Sequence, residues 1–364
     1  IAHVHVGALG WNGLLTFGIL YWLAPRLWNT KLYSVKLANV HFWLATLGLV
    51  FYVIPMYWTG ITQALMWKQF SPEGLLVYPN FLETVLELIP MYWTRAFGGT
   101  LFLSGALVMV YNLVMTARSG TAVDNEEMEA APLKPIVSVP GEHKHRWIEA
   151  RPVPFIIMAF VAVVIGGLVE FVPMFVVKTN IATISTVTPY TPLELEGRDL
   201  YIKEGCFNCH SQMIRPFRSE TERYGEYSKA GEYVYDHPFL WGSKRTGPDL
   251  HREGVGKLRK PDAWHYNHME NPRSMSPGSI MPVYPWLLER SNEYANLPAK
   301  ISAMRTLGVP YEAGYEDQAL ADLKKQAEGI VANLKDAGIE TTWDKEIIAL
   351  IAYLQKLGTG ILPQ

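Results

Sequence analysis

The chain of 364 residues is long enough for two or three domains, and its 32 basic and 34 acidic side chains leave a formal net charge of −2, which argues against a nucleic-acid partner. Hydrophobic residues make up 49% of it but are unevenly spread: 1 to 118 and 153 to 178 are apolar runs, whereas 190 to 364 reads as an ordinary polar domain. A disulfide framework is excluded, because the only cysteines are Cys206 and Cys209, three residues apart, and the pair has to be read as chemistry.

In chain order, the first apolar run covers 1 to 24 and opens "IAHVHVGALG", with His3 and His5 two positions apart. Residues two apart on an α-helix point about 200° from each other, so one helix offers an imidazole to each of two flanking groups. The competing reading is that both rings are hydrogen-bonded within a helix bundle or lie at its interface. Histidines inside a membrane are costly and generally functional. A chain that starts Ile-Ala-His inside an apolar run reads as part of a longer or processed one. Runs at 37 to 59, 95 to 117 and 155 to 177 follow, each near the roughly 20 residues that cross a bilayer as a helix.

The connections set the topology. Residues 25 to 36 carry Arg26, Lys31 and Lys36, and 118 to 151 carry Arg118, Lys134, Lys144, Arg146 and Arg151, whereas 61 to 94 hold Lys68 alone. The positive-inside rule places the first two on the cytoplasmic side, and the loop 61 to 94 and everything after 178 on the opposite face. "MYW" at 56 to 58 and at 91 to 93 sits where interfacial aromatic belts are expected. The charged, Pro-rich stretch 119 to 152 reads as a flexible cytoplasmic linker, in which His143 and His145 are solvated rather than ligating. Residues 153 to 178 then form an anchor helix leading to an exported domain, 190 to 364.

That domain contains "YIKEGCFNCHSQMIRPF", a C-x-x-C-H run of Cys206, Cys209 and His210. Two thiols at this spacing add to the vinyl groups of a haem, and the adjacent imidazole falls under the iron as its proximal ligand. A thioredoxin-like pair has no reason to be followed by His, and zinc needs two further ligands at similar spacing. "GRDLYIKEG" reads as a short amphipathic opening helix, "TGPDL" at 246 to 250 as a loop able to orient His210, and 345 to 358 as a closing helix. The sixth ligand comes from downstream. Met281, in the rigid apolar "SIMPVYPW", is favoured, with Met275 next and Met269, His265 and His268 nearby. A His/Met pair raises the reduction potential and suits an electron carrier.

"IAHVHVGALGWNG", "GGTLFLSGALVMVYNL", "GGLVEFVPMF", "ELEGRDLYIKEGCFNCHSQMIRPFRSETERYGEYS", "DHPFLWGSKRTGPDL" and "MPVYPWL" together closely resemble the cbb3-type haem-copper cytochrome c oxidases. The resemblance implies a mainly α fold: a bundle of about four transmembrane helices plus an α-helical cytochrome c domain. Residues 1 to 118 would be the last three helices of the catalytic subunit and the later part its mono-haem cytochrome c subunit. Carried over, His3 would hold the high-spin, oxygen-reducing haem b and His5 the low-spin haem b, both metal ligands, with His3 catalytic. Cys206, Cys209, His210 and Met281 match the haem c positions, His210 and Met281 as its iron ligands. Implied cofactors are covalent haem c, the two haems b, and a copper whose ligands lie mostly outside this chain; carboxylates near the haems allow a calcium ion. Implied partners are the remaining helices of the catalytic subunit, a further cytochrome c subunit or soluble cytochrome c as donor, and lipid, in a bacterial inner membrane with the cytochrome on the periplasmic side. Joining two parts that are normally separate chains implies a fused gene or a chain that begins partway through a longer fusion.

Other residues support less. His41 stands alone on its helix and reads as structural or interfacial. Glu170, near the exported end of the anchor, is either paired near a cofactor or snorkels. Arg95, opening the third helix, holds either a haem propionate or lipid phosphate, and Glu83 and Glu87 share a helix face that reads as solvated. The run "EDQALADLKKQAEGIVANLKDAG" within 291 to 343 adds a helix without an assigned role. Two other functions fit part of the pattern: a nitric oxide reductase, and a membrane-tethered cytochrome c in which His3 and His5 bind nothing.

Overall fold

A computed structural model describes residues 1–123, 148–177, 183–242 and 244–361, and groups the chain into two compact units, Ile1–Ala122 with Thr183–Gln364, and Val123–Ala182. The fold is helical, and among the described residues the only β pairings are the isolated bridges Phe70 to Leu76 and Ser291 to Lys345. His143 and His145 lie outside the described residues.

Among the described residues, four helices are long and apolar enough to cross a membrane: α1 (Ala2–Leu27), α2 (Val35–Trp67), α3 (Phe81–Arg118) and α4 (Pro152–Val176). Residues Val6–Gly13 of α1 are wound as a π-helix directly after His5, a device that recurs at functional sites. The expected loop 61 to 94 is instead largely helical. Helix α2 runs 33 residues and α3 runs 38, well past the ~20 that hydrocarbon requires. No Gly or Pro interrupts α2 after Gly60, and Asn80 starts α3 early by accepting the Leu82 amide at 3.0 Å. Arg95 therefore sits inside α3 rather than at its start.

Helices α2 and α3 pack backbone to backbone. A Cβ on Gly98 would stand 2.6 Å from the Tyr52 amide nitrogen, and one on Gly48 2.6 Å from that of Phe102. Small residues at this crossing do what GxxxG stripes do in membranes. At the other end Asn112 closes the loop before α2, accepting from Ser34 N at 3.0 Å and donating to Ser34 O at 2.8 Å. His41 is 1% exposed and its Nδ1 meets the Tyr21 hydroxyl at 3.1 Å, so it is a packed core histidine. Helix α4 belongs to the other unit; its large side chains are exposed, as is Glu170.

The polar domain is built around the crossing of α5 (Pro192–Lys203) and α10 (Glu346–Lys356). Thr191 and Glu194 form a capping box at the start of α5. A Cβ at Gly197 would collide with the Ala349 carbonyl, so glycine is what lets the two backbones touch. The unassigned run becomes α9 (Ala319–Asp336), whose Leu323, Ala327, Ile330 and Leu334 face the core; α8 (Leu297–Thr306) adds Leu297 and Ile301. Its role is therefore to complete the apolar wall behind α5.

Candidate haem site

After α5 the chain turns through Gly205 in the left-handed region, φ 73°, and Cys206–Asn208 form a single 3₁₀ turn. The His210 amide bonds the Cys206 carbonyl at 2.9 Å, so both thiols and the imidazole leave one tight turn together. Both thiols are free, and burial pushes the Cys206 thiol up to about 12. That is opposite to what a redox-active thiolate needs.

The His210 ring is oriented from behind. Its Nδ1 lies 2.8 Å from the Pro248 carbonyl, which can only accept, so Nδ1 carries the proton and Nε2 presents a lone pair. Gly247 lets this loop lie flat on the ring, since a Cβ there would overlap the imidazole. Burial lowers the His210 pKa, favouring the neutral, ligating form. Asp249 ties the loop to the motif, accepting from Ser211 Oγ at 2.6 Å and the Met213 amide at 2.8 Å. The loop "TGPDL" thus does what its position predicted.

Cys206, Cys209, His210 and Met281 line one cavity of about 450 Å³. Met275 does not line it, whereas Met269, His265 and His268 do, on α7 (Asp262–Glu270) and beyond the stacked Trp264 ring 4.4 Å from His268. Met281 is placed by its amide, which donates to Ser279 Oγ at 3.2 Å. Apolar walls come from Leu250, Ile280, Leu350 and Leu354. Among residues that line the cavity, three buried polar atoms have no hydrogen-bond partner among the described residues: Arg223 Nε, His265 Nε2 and His268 Nδ1. Burial pulls His265 and His268 down to about 4, so both stay neutral. Buried donors left open around an apolar cavity fit a large flat group with polar edges, and a haem meets that description.

One wall was not foreseen: Pro79, Asn80, Phe81, Leu82 and Val85, at the start of membrane helix α3, line the same cavity. No spacing in the sequence links residue 81 to residue 210, so only the fold could reveal it. A second cavity, of about 1000 Å³, lies between Ile1, Met56, Trp67, Arg95 and Arg245. Arg95 there donates to Met56 Sδ at 3.7 Å.

His3 is exposed and His5 half-buried. His5 Nδ1 is 2.9 Å from the Ile1 carbonyl, which again assigns the proton to Nδ1 and leaves Nε2 free. Its ring lies 4.9 Å from that of Tyr52. Glu83 and Glu87 are both exposed. Among the described residues no three His, Cys, Asp or Glu side chains converge as metal ligands, so they offer copper no complete site.

Fold and site define a class: a membrane-bound helical protein with a C-x-x-C-H motif walling a haem-sized cavity. A profile described as cytochrome c oxidase, mono-heme subunit/FixO, matches residues 145–361, and one described as cytochrome c and quinol oxidase polypeptide I matches 1–101. The chain belongs to the mono-heme cytochrome c oxidase subunit/FixO family, joined to a stretch of oxidase polypeptide I. Its first part is 53% identical over 133 residues to a cytochrome c oxidase subunit 1 homolog of Agrobacterium tumefaciens, covering 36% of this chain and 24% of that protein. It is 54% identical over 117 residues to cytochrome c oxidase subunit 1 of Rhodobacter capsulatus, covering 32% and 22%. It is 42% identical over 132 residues to the cbb3-type cytochrome c oxidase subunit CcoN1 of Stutzerimonas stutzeri, covering 36% and 27%. The chain thus spans about a quarter of the length of these relatives.

Proposed function

We propose that this chain is part of a bacterial respiratory terminal oxidase of the cbb3 type, which takes electrons from a cytochrome c and delivers them to a high-spin haem and copper centre where oxygen is reduced to water, with proton translocation. The observation that carries the reading is the single cavity lined by Cys206, Cys209, His210 and Met281. Cys206 and Cys209 would hold haem c by thioethers, with His210 Nε2 and Met281 Sδ on its iron; bound there, haem c supplies one-electron relay with no open position for substrate. Pro248 holds the proton on Nδ1 of His210 and so keeps Nε2 available. His5 and His3 would hold the low-spin and the high-spin haem b. The Ile1 carbonyl fixes the His5 tautomer as Pro248 does for His210.

In this reading 1 to 118 are the last three helices of the catalytic subunit, 119 to 152 a cytoplasmic linker, 153 to 178 an anchor and 190 to 364 a periplasmic cytochrome domain. Copper ligands, and the donor cytochrome, would come from further helices and subunits of an inner-membrane complex, where carboxylates near the haems would allow a calcium ion. Pyridine haemochrome analysis with metal quantification on the intact complex tests it. Covalent haem c with haem b and one copper per complex is expected. Haem c alone would reduce the protein to a tethered carrier, and haem b with non-haem iron in place of copper would make it a nitric oxide reductase.

A further inference from the structure

Arg223, on α6 (Arg218–Tyr224), is buried; among the described residues it makes no ion pair within 4 Å, and the charges of Glu220 and, from α3, Glu83 act on it from further away. Its guanidinium reaches out of its own domain into the membrane segment. Nη2 donates to the Tyr78 carbonyl at 2.9 Å and to the Trp67 carbonyl at 3.4 Å, and Nη1 donates to Trp67 O at 3.4 Å and Ser219 O at 3.3 Å. Trp67 is the last residue of α2. Its carbonyl is one of those a helix C-terminus leaves without an internal partner, at the negative end of the dipole. A planar fork of donors suits two carbonyls from separate segments better than an ammonium does.

Further contacts continue the same seam. Gln63 donates to the Arg245 carbonyl at 3.3 Å, Arg218 donates to the Gly74 carbonyl, and a Cβ on Gly278 would stand 2.8 Å from Leu86 of α3. The Trp67 and Phe81 rings lie 5.6 Å apart. Phe81 lines the haem-sized cavity and Trp67 the larger one beside Ile1, so this aromatic pair stands between the two.

We propose that Arg223 is a positioning residue that docks the cytochrome domain on the ends of α2 and α3, holding Trp67 and Phe81 as the packed wall through which an electron leaves the Cys206 and Cys209 cavity toward His5. The electron-transfer part rests on the function proposed above, and the docking part does not. With haems bound, the transfer would be a one-electron exchange between them, with no bond or proton exchanged, and the role of this chain's residues would be to hold the packed path. Because tunnelling falls steeply with distance and with gaps in packing, loosening the seam slows transfer without altering the haem c ligands.

The test compares intact membrane complexes carrying Arg223→Ala, Arg223→Lys or Phe81→Ala with the parent. Backbone hydrogen exchange is read at 74 to 83 and 218 to 224, together with flash-initiated haem c to haem b transfer and the haem c potential. Expected for Arg223→Ala is tenfold or more faster exchange confined to those two stretches and tenfold or more slower transfer, the measured haem c potential of each variant being used to correct the rate for driving force, since Arg223 also lines the cavity. Arg223→Lys, keeping the charge but not the fork, falls between, and Phe81→Ala slows transfer while leaving exchange at 218 to 224 unchanged. Unchanged exchange, faster exchange spread through α9 and α10, or unchanged transfer with loosened docking overturns the inference. Absence of haem b from the parent overturns the function instead, and the exchange result still decides the docking.

Discussion

The polar domain and the membrane segment handle their histidines in opposite ways. In the polar domain His210 is buried, its tautomer fixed by Pro248, and the three other expected haem c contacts share its cavity. In the membrane segment His3 is exposed and His5 half-buried, beside helices that display Trp11, Trp22, Trp43 and Trp58 outward. One region gathers all four expected haem c contacts beside a core in which Ile347, Ile348, Leu323 and Leu334 are fully buried, and borrows only one wall, at Pro79 to Val85, from the start of α3; the other presents its histidines among exposed apolar faces. Within one chain, then, the expected haem c ligands gather where the core is closed, whereas His3 and His5 lie where the bundle is open.

Substitutions can break each half separately. The largest effect is expected from Cys206→Ala with Cys209→Ala, which should abolish covalent haem c, checked by haem staining of the denatured chain; thioether formation has no other thiol to use. Next, Gly98→Leu should prevent the α2 and α3 crossing, because even a Cβ meets the Tyr52 amide at 2.6 Å. Overpacking of this kind costs about 1–3 kcal/mol or more, and the check is loss of assembled complex on native gels while haem c attachment persists. Met281→Leu should lower the haem c potential, read by redox titration, whereas Met275→Leu should leave it unchanged, since of these two only Met281 lines the cavity.

The smallest effect concerns Glu253, which lines the same cavity with Lys260. Burial raises its carboxyl to about 7, with Lys260 opposing. Below that value it is neutral and above it carries a charge that favours ferric iron, so the haem c potential should fall as pH rises through 7. The native state also binds the extra proton between the ordinary value of 4.5 and about 7, so this group's contribution to stability declines across that window as pH rises. Glu253→Gln should flatten the potential between pH 6 and 8.

Much of this was legible beforehand because it is local. A C-x-x-C-H turn, a Gly-Pro loop that orients an imidazole and an apolar-periodic closing helix each declare themselves within a dozen residues. Helix ends were less legible: "ITQALMW" is hydrophobic enough to span or to protrude, and only the Asn80 cap and the absence of a breaker decide that α2 and α3 continue past the expected bilayer limits. The run at 319 to 336 was readable as a helix but not as part of the core, since amphipathicity does not say which neighbour it covers. Least legible were Arg223 and Phe81. Their significance depends on contacts across more than a hundred residues of chain, which no periodicity or spacing encodes.

On the function proposed above, the haem c ligands at His210 all lie in this chain, whereas the haems b at His3 and His5 are shared with further helices. Haem quantification in the intact complex bearing His5→Ala tests it most directly. Covalent haem c at the parental level with loss of the low-spin haem b is expected. Unchanged haem b would contradict it, because His5 would then hold nothing.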